Sequence, residues 1–201
     1  MLQRPPYMII IILLALTACS KPQPQQGEIY FPKTSNGAQW EYGLRYSTPS
    51  GVQTGGMLIR IGDEETINQK TYYKQITLTQ GVPGAETRVS YNRRSKEGIY
   101  KIDENTATRR EYLVTPFPVK VGSTWTTQTS GGQTHYKAEK IETVELNGKK
   151  YVNCLKVSLQ GEKGSQHFNG ISYFAPGIGE VYTLLNLGEV KVDYALVKYK
   201  L

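Results

Sequence analysis

Two histidines, three aspartates and two cysteines are the residues from which most side-chain chemistry in this chain would have to be built. His135 lies in "TSGGQTHYK" and His167 in "KGSQHFNG", both beside turns, and neither has a partner at a metal-ligand spacing such as His-x-x-x-His. A Ser-His-Asp triad could draw on Asp63, Asp103 or Asp193, because its members can be far apart in the chain. No Gly-x-Ser-x-Gly elbow accompanies them. Glu64-Glu65, after Gly62-Asp63, reads as a solvated hairpin turn rather than as paired carboxylates for acid and base work. The glycines cluster in β-turn sequences and not before helices, so no phosphate-cradling loop is expected. The reading is therefore of a chain with no catalytic, cofactor or metal residues, and not of an enzyme.

The cysteines carry more information. Met8–Leu16, "MIIIILLAL", is nine unbroken apolar residues with Arg4 before it. A membrane-spanning helix needs roughly 20 apolar residues, so this run is too short to anchor the chain, and its length suits a secretory signal. It ends in Leu16-Thr17-Ala18-Cys19. This resembles the lipobox of bacterial lipoproteins, and the resemblance implies lipidation of the Cys19 thiol with cleavage before it. Residues 1–18 then form a lipoprotein signal peptide. Each buried methylene adds about 0.8 kcal/mol to membrane binding, so two or three acyl chains, palmitate among them, hold a protein essentially permanently. Residues 19–29 follow as the lipidated cysteine and an extended tether. "SKPQPQQ" within it has two prolines and no apolar residue, and at about 3.1 Å per residue it holds a domain ~20 Å off the lipid. Ser20 is not the Asp that retains enterobacterial lipoproteins at the inner membrane, so the resemblance implies the outer membrane, on its periplasmic side or surface, in a Gram-negative host. With Cys19 acylated, Cys154 has no partner, and a lone thiol in an oxidising compartment is expected to be buried.

Removing residues 1–18 takes away only Arg4 and leaves 23 basic against 17 acidic side chains, a net charge of +6. That favours anionic neighbours such as lipid headgroups or envelope polymers. The longest basic runs are pairs, Arg93-Arg94 and Arg109-Arg110, and nucleic acid is not an expected partner of an exported protein. All seven remaining arginines (Arg45, Arg60, Arg88, Arg93, Arg94, Arg109 and Arg110) precede residue 116. Arginine suits planar or phosphate contacts better than lysine.

The rest, 30–201, reads as a single all-β domain. Period-two alternation places Trp40, Tyr42, Leu44 and Tyr46 on one face. Tyr151, Leu155, Val157 and Leu159 form another such set, and Val190, Val192, Tyr194 and Leu196 a third. Turn sequences separate the runs, and Asn147-Gly148 is the strongest, since a two-residue hairpin needs positive φ at both central positions. The expected fold is an antiparallel meander forming a strongly curved sheet, barrel or sandwich. Fifteen tyrosines suit half-exposed sheet faces and binding surfaces.

An internal repeat accompanies the pattern. "YFPKTSNGAQW" (30–40) and "PFPVKVGSTW" (116–125) share Phe-Pro and Gly-x-x-Trp. "INQKTYYKQITL" (67–78) aligns with "LNGKKYVNCLKV" (146–157), and "YNRRSKEGIY" (91–100) with "YFAPGIGEVY" (173–182). The reading is of duplicated halves, 30–115 and 116–201, with Trp40 and Trp125 equivalent and both largely buried. The same Phe-Pro…Gly-x-x-Trp and Tyr-x-Ala-Pro-Gly-x-Gly-x-Val segments resemble parts of small exported bacterial lipoproteins of unassigned function. That resemblance implies strand-opening and tight-turn roles and no catalytic residues. A looser similarity links the chain to curved-sheet lipoprotein carriers, which cover their sheet with helices this sequence does not offer. The functional expectation is a lipid-anchored cell-envelope lipoprotein, a non-catalytic binding or scaffolding module for an envelope protein or anionic polymer. The alternative is a small-ligand or lipid-binding β-barrel carrier.

Overall fold

The computed structural model describes residues 28–33, 35–103, 110–129 and 132–201. The signal peptide, Cys19, most of the tether and Arg109 lie outside the described residues. A short 3-10 turn, Glu28–Tyr30, leads into twelve strands: β1 (Gln39–Thr48), β2 (Gly51–Ile67), β3 (Lys70–Gln80), β4 (Thr87–Arg94), β5 (Gly98–Asp103) and β6 (Tyr112–Pro116), then β7 (Thr124–Thr129), β8 (Gly132–Leu146), β9 (Lys149–Lys163), β10 (Gln166–Ala175), β11 (Gly179–Leu187) and β12 (Val190–Lys200). Except for β6 and β7, each strand pairs antiparallel with its chain neighbours, and β12 returns to pair with β1. The ladder therefore begins at β6 and ends at β7. These two strands are consecutive in the chain and lie against each other, so the sheet is a nearly closed barrel. The indole N–H of Trp125 and the hydroxyl of Thr127 both donate to the Val114 carbonyl, at 3.0 Å each, and bridge that seam.

The expected faces are largely present. Trp40, Tyr42 and Leu44 are buried on one side of β1, with Tyr46 partly buried beside them, while Glu41 and Arg45 point away. The alternation breaks in β9. Tyr151 and Cys154 pack with Trp40, Tyr42, Ile61 and Leu196, whereas Leu155 and Val157 join a second cluster with Tyr30, Phe31 and Val119. Asn153 at φ 55° and a ladder shift between Glu142 and Val144 reset the side-chain phase there, as an extra residue in a strand must. A third cluster, Ile67, Tyr72, Tyr91 and Ile102, belongs to β2–β5.

The two halves run through the same six-strand order and share local geometry. Asn147 and Gly148 sit at φ 51° and 74°, and Asn68 and Gln69 at the matching turn of β2–β3 sit at 49° and 65°. Gly37 (φ 87°) donates to Ile61 O at 2.9 Å while Ile61 donates to Ala38 O at 2.9 Å. Gly122 (φ 89°) donates to Ala138 O at 2.7 Å while Ala138 donates to Ser123 O at 2.9 Å. Other features differ. Trp40 is 7% exposed and donates to Ile178 O at 2.9 Å, but Trp125 is only partly buried and stacks on Tyr136 at the seam. Tyr182 stands opposite Tyr173, but Tyr100 stands opposite Arg93.

Candidate functional site

The residue placement that the sequence does not show most clearly is at β4–β5. Residues 28–33 run across one end of the barrel, where Gly177 donates to Ile29 O at 2.7 Å and the Phe31 ring meets those of Phe117 and Phe174 at 6.0 and 5.0 Å. The Arg94 guanidinium donates to the Phe31 carbonyl, sits 4.4 Å over the Phe117 ring and approaches Glu28 at 3.5 Å. Its neighbour Arg93 lies 4.4 Å over Tyr100 and pairs with Glu111 at 2.8 Å. Glu111 also accepts from Lys70 and Tyr72, both at 2.7 Å. Burial works to raise the Glu111 pKa, but these three donors outweigh it and hold the carboxyl below its ordinary value. Both arginines are thus fixed in place. Between them and the N-terminal segment opens a cleft of about 560 Å³, lined by Lys33, Arg93, Arg94 and Lys96 with Glu28 and Glu64.

His135 and His167 are brought together. In the β8–β9–β10 register His135 pairs with Gln160, His167 with Glu162, and Asn169 with Gln160, so their side chains share one face. They line a groove of about 620 Å³ with Gln133 and Asn186. His135 Nδ1 is 2.9 Å from the Thr126 hydroxyl. The groove is rich in amides and imidazoles, suited to hydrogen-bonding a polar partner. Among the described residues no group of three or more His, Cys, Asp or Glu side chains is placed to hold a metal ion.

The carboxylates considered from sequence are held by neighbours. Asp193 accepts from Arg45 Nε at 2.9 Å. Asp103 accepts from the Tyr112 hydroxyl at 2.6 Å and pairs with Lys101 at 3.2 Å. Asp63 accepts from Asn36 at 2.5 Å. Glu64 and Glu65 are not in a turn, as the sequence suggested. They lie inside β2 just after a register shift, because the turn falls at Asn68-Gln69 instead. Cys154 is free and fully buried, its Sγ 3.5 Å from the Tyr151 carbonyl, and burial pushes its thiol pKa up.

Glu180 is a site residue the sequence hides. Simple alternation would put it with Tyr182, away from Thr183. The irregularity between Tyr173 and Phe174 sets Glu180 opposite Phe174 instead. Its carboxylate accepts from Thr183 at 2.5 Å and from Tyr194 at 3.0 Å, and its backbone carbonyl accepts from Tyr42 at 3.0 Å. Among the described ion pairs it has no cation. Burial raises its pKa, against the hydroxyl donors, which lower it.

The fold and these surfaces define a twelve-stranded antiparallel meander barrel with a basic cleft at its N-terminal end. No family model matches the chain, and no curated protein does. A crystal structure of a protein described as exported and as having a YmcC-like fold, from Bacteroides fragilis NCTC 9343, superposes with a TM-score of 0.53 at 12% identity, covering 85% of this chain and 98% of that one. A protein described as a lipoprotein, from Parabacteroides distasonis ATCC 8503, gives 0.46 at 12% identity, covering 89% and 100%. The first likeness shows a shared fold.

Proposed function

We propose that this chain is an exported lipoprotein, anchored through acylated Cys19, whose barrel is a non-catalytic binding or scaffolding module for an envelope protein or anionic envelope polymer. The outer membrane is its proposed location in a Gram-negative host. The observation that carries the reading is the join between tether and barrel. Residues 28–31, nine and more positions beyond Cys19, are fixed by the Ile29–Gly177 bond and the Phe31 ring contacts. An anchor at Cys19 would therefore present one defined end of the barrel, with its basic cleft, to the lipid side. Engagement of Asp63, Asp103 and Asp193 by neighbouring side chains supports a role without catalysis. Crosslinking the mature protein in its own envelope, followed by purification, tests the module role. Recovery of one stoichiometric envelope component supports it, and recovery of the uncrosslinked chain alone contradicts it.

The reading includes duplication of 30–115 and 116–201, supported by the paired turns at 68–69 and 147–148. The carrier alternative has one observation in its favour. A hollow of about 280 Å³, lined by Pro32, Gln75, Asn92, Ile99, Lys101 and Val114, opens beside the N-terminal segment. Small-molecule sites usually occupy about 300–1,000 Å³ and are lined mostly by apolar side chains. This hollow falls just below that size, and the larger cleft and groove are lined mostly by charged and polar residues, so the binding-module reading is preferred.

A further inference from the structure

We propose that the cleft between residues 28–33 and the β4–β5 turn binds phosphate groups of anionic lipid headgroups in the membrane that carries the Cys19 anchor; the inference rests on the lipid-anchor reading. Four cations line the cleft against two carboxylates. They are not equivalent. Arg93 and Arg94 are fixed by aromatic faces and carboxylates. Lys33 is exposed and has no carboxylate partner among the described ion pairs. Lys96 is 91% exposed, and among the described ion pairs its one carboxylate is Glu97, at 3.9 Å. Two exposed ammonium groups at the rim of a fixed guanidinium pair form a phosphate-receptive arrangement.

Position favours a lipid source for that phosphate. A second hollow of about 510 Å³ shares Glu28, Lys33 and Arg94 with the cleft and adds Ile29, Pro32, Pro176 and Gly177. Ile29 is 39% exposed, an apolar side chain beside a basic rim. Basic groups next to apolar ones are the composition that settles at a headgroup boundary. Eight residues lie between Cys19 and Glu28. Fully extended, the nine steps from Cys19 to Glu28 span at most about 32 Å, so the tether lets the cleft reach the bilayer without holding it there. Attraction between lysines and an anionic surface decays over a Debye length of about 8 Å at physiological salt. Contact must therefore be close, and it must weaken with salt.

The test uses the full mature protein reconstituted into phosphatidylcholine vesicles with or without 30 mol% phosphatidylglycerol, read by amide hydrogen exchange. Residues 28–33 and 94–98 should exchange at least fivefold more slowly in the anionic vesicles. The difference should vanish in 0.5 M NaCl and in the Lys33→Glu/Lys96→Glu variant, whose exchange elsewhere stays unchanged. Equal exchange in both vesicles, or full protection in the variant, overturns the proposal. Protection by glycerol phosphate in neutral vesicles but not by phosphatidylglycerol would assign the cleft to a soluble phosphate and also overturn it. Intact mass reports acylation separately. If Cys19 is unmodified, the anchor reading fails by itself, and cosedimentation of the full chain with the same vesicles then decides the cleft: tenfold more on the anionic ones supports it, and no difference overturns it.

Discussion

The Trp125 indole N–H donates to the Val114 carbonyl at 3.0 Å across the pair of strands that share no backbone ladder. Barrel closure at this seam depends on side chains. Trp125→Phe keeps a ring against Tyr136 and loses the donor, which should cost about 1 kcal/mol. Thr127 donates to the same oxygen, so adding Thr127→Val leaves the carbonyl without either donor. The double variant should lose about 1–3 kcal/mol beyond the first change, read by urea unfolding at constant m-value. Additional loss below about 0.5 kcal/mol would show that the seam is held by packing alone.

The turns at 68–69 and 147–148 differ in their second residue. Gly148 takes φ 74° without strain, whereas Gln69 holds φ 65°. A residue with a Cβ pays about 1–2 kcal/mol there, partly offset by the greater freedom of glycine in the unfolded chain. Gln69→Gly should raise stability by roughly 0.5–1 kcal/mol in the same urea assay. The mirror change, Gly148→Gln, should lower it by a similar amount. Opposite signs would mean that the two turns are not equivalent.

Glu180 should give stability a distinctive pH slope. Its folded pKa is raised, by burial first. Between the ordinary carboxylate pKa of about 4.3 and that raised value, the folded state holds more protons than the unfolded state. Its contribution is full below the lower limit and is lost as pH rises through the folded pKa. Glu111, Glu139 and Glu142 are shifted down and act in the opposite sense, at pH below the ordinary carboxylate range. Glu180→Gln should flatten the upper slope and stabilise the protein at neutral pH. Urea midpoints at half-unit pH intervals check this, and an unchanged slope in the variant would contradict it.

Cys154 should behave as a core side chain. It is fully buried, and burial favours its thiol form. In folded protein a maleimide should react with it no faster than the chain opens globally. The rate should therefore track unfolding across a urea series. Rapid modification without denaturant would place the thiol at a surface.

How far the fold was readable follows from where the strand phase is regular. In β1 the alternation of Trp40, Tyr42 and Leu44 needed no correction, and the Asn147-Gly148 turn carried its own signature. In β9 the phase slips at Asn153, and around Phe174 it slips against β11. A period-two reading therefore misassigned the neighbours of Tyr151 and hid Glu180. The Gln69 turn escaped notice because glutamine is no turn marker, and its place shows only through the alignment with Leu146–Lys149. The cleft was legible as a bias, since the arginines gather before residue 116, but not as a site. Arg94 meets Glu28 and Phe31 across more than sixty residues of chain, and Glu111 becomes a partner of Arg93 only when the strands pair. The two histidines were separate in sequence for the same reason. They share a groove through the β8–β9–β10 register.

The lipid anchor is tested most directly by metabolic labelling with radioactive palmitate of cells expressing the full chain or its Cys19→Ala variant. The account predicts a labelled mature protein of reduced mass from the native sequence and an unlabelled, uncleaved precursor from the variant. Normal labelling of Cys19→Ala, or an unlabelled native chain, would contradict it.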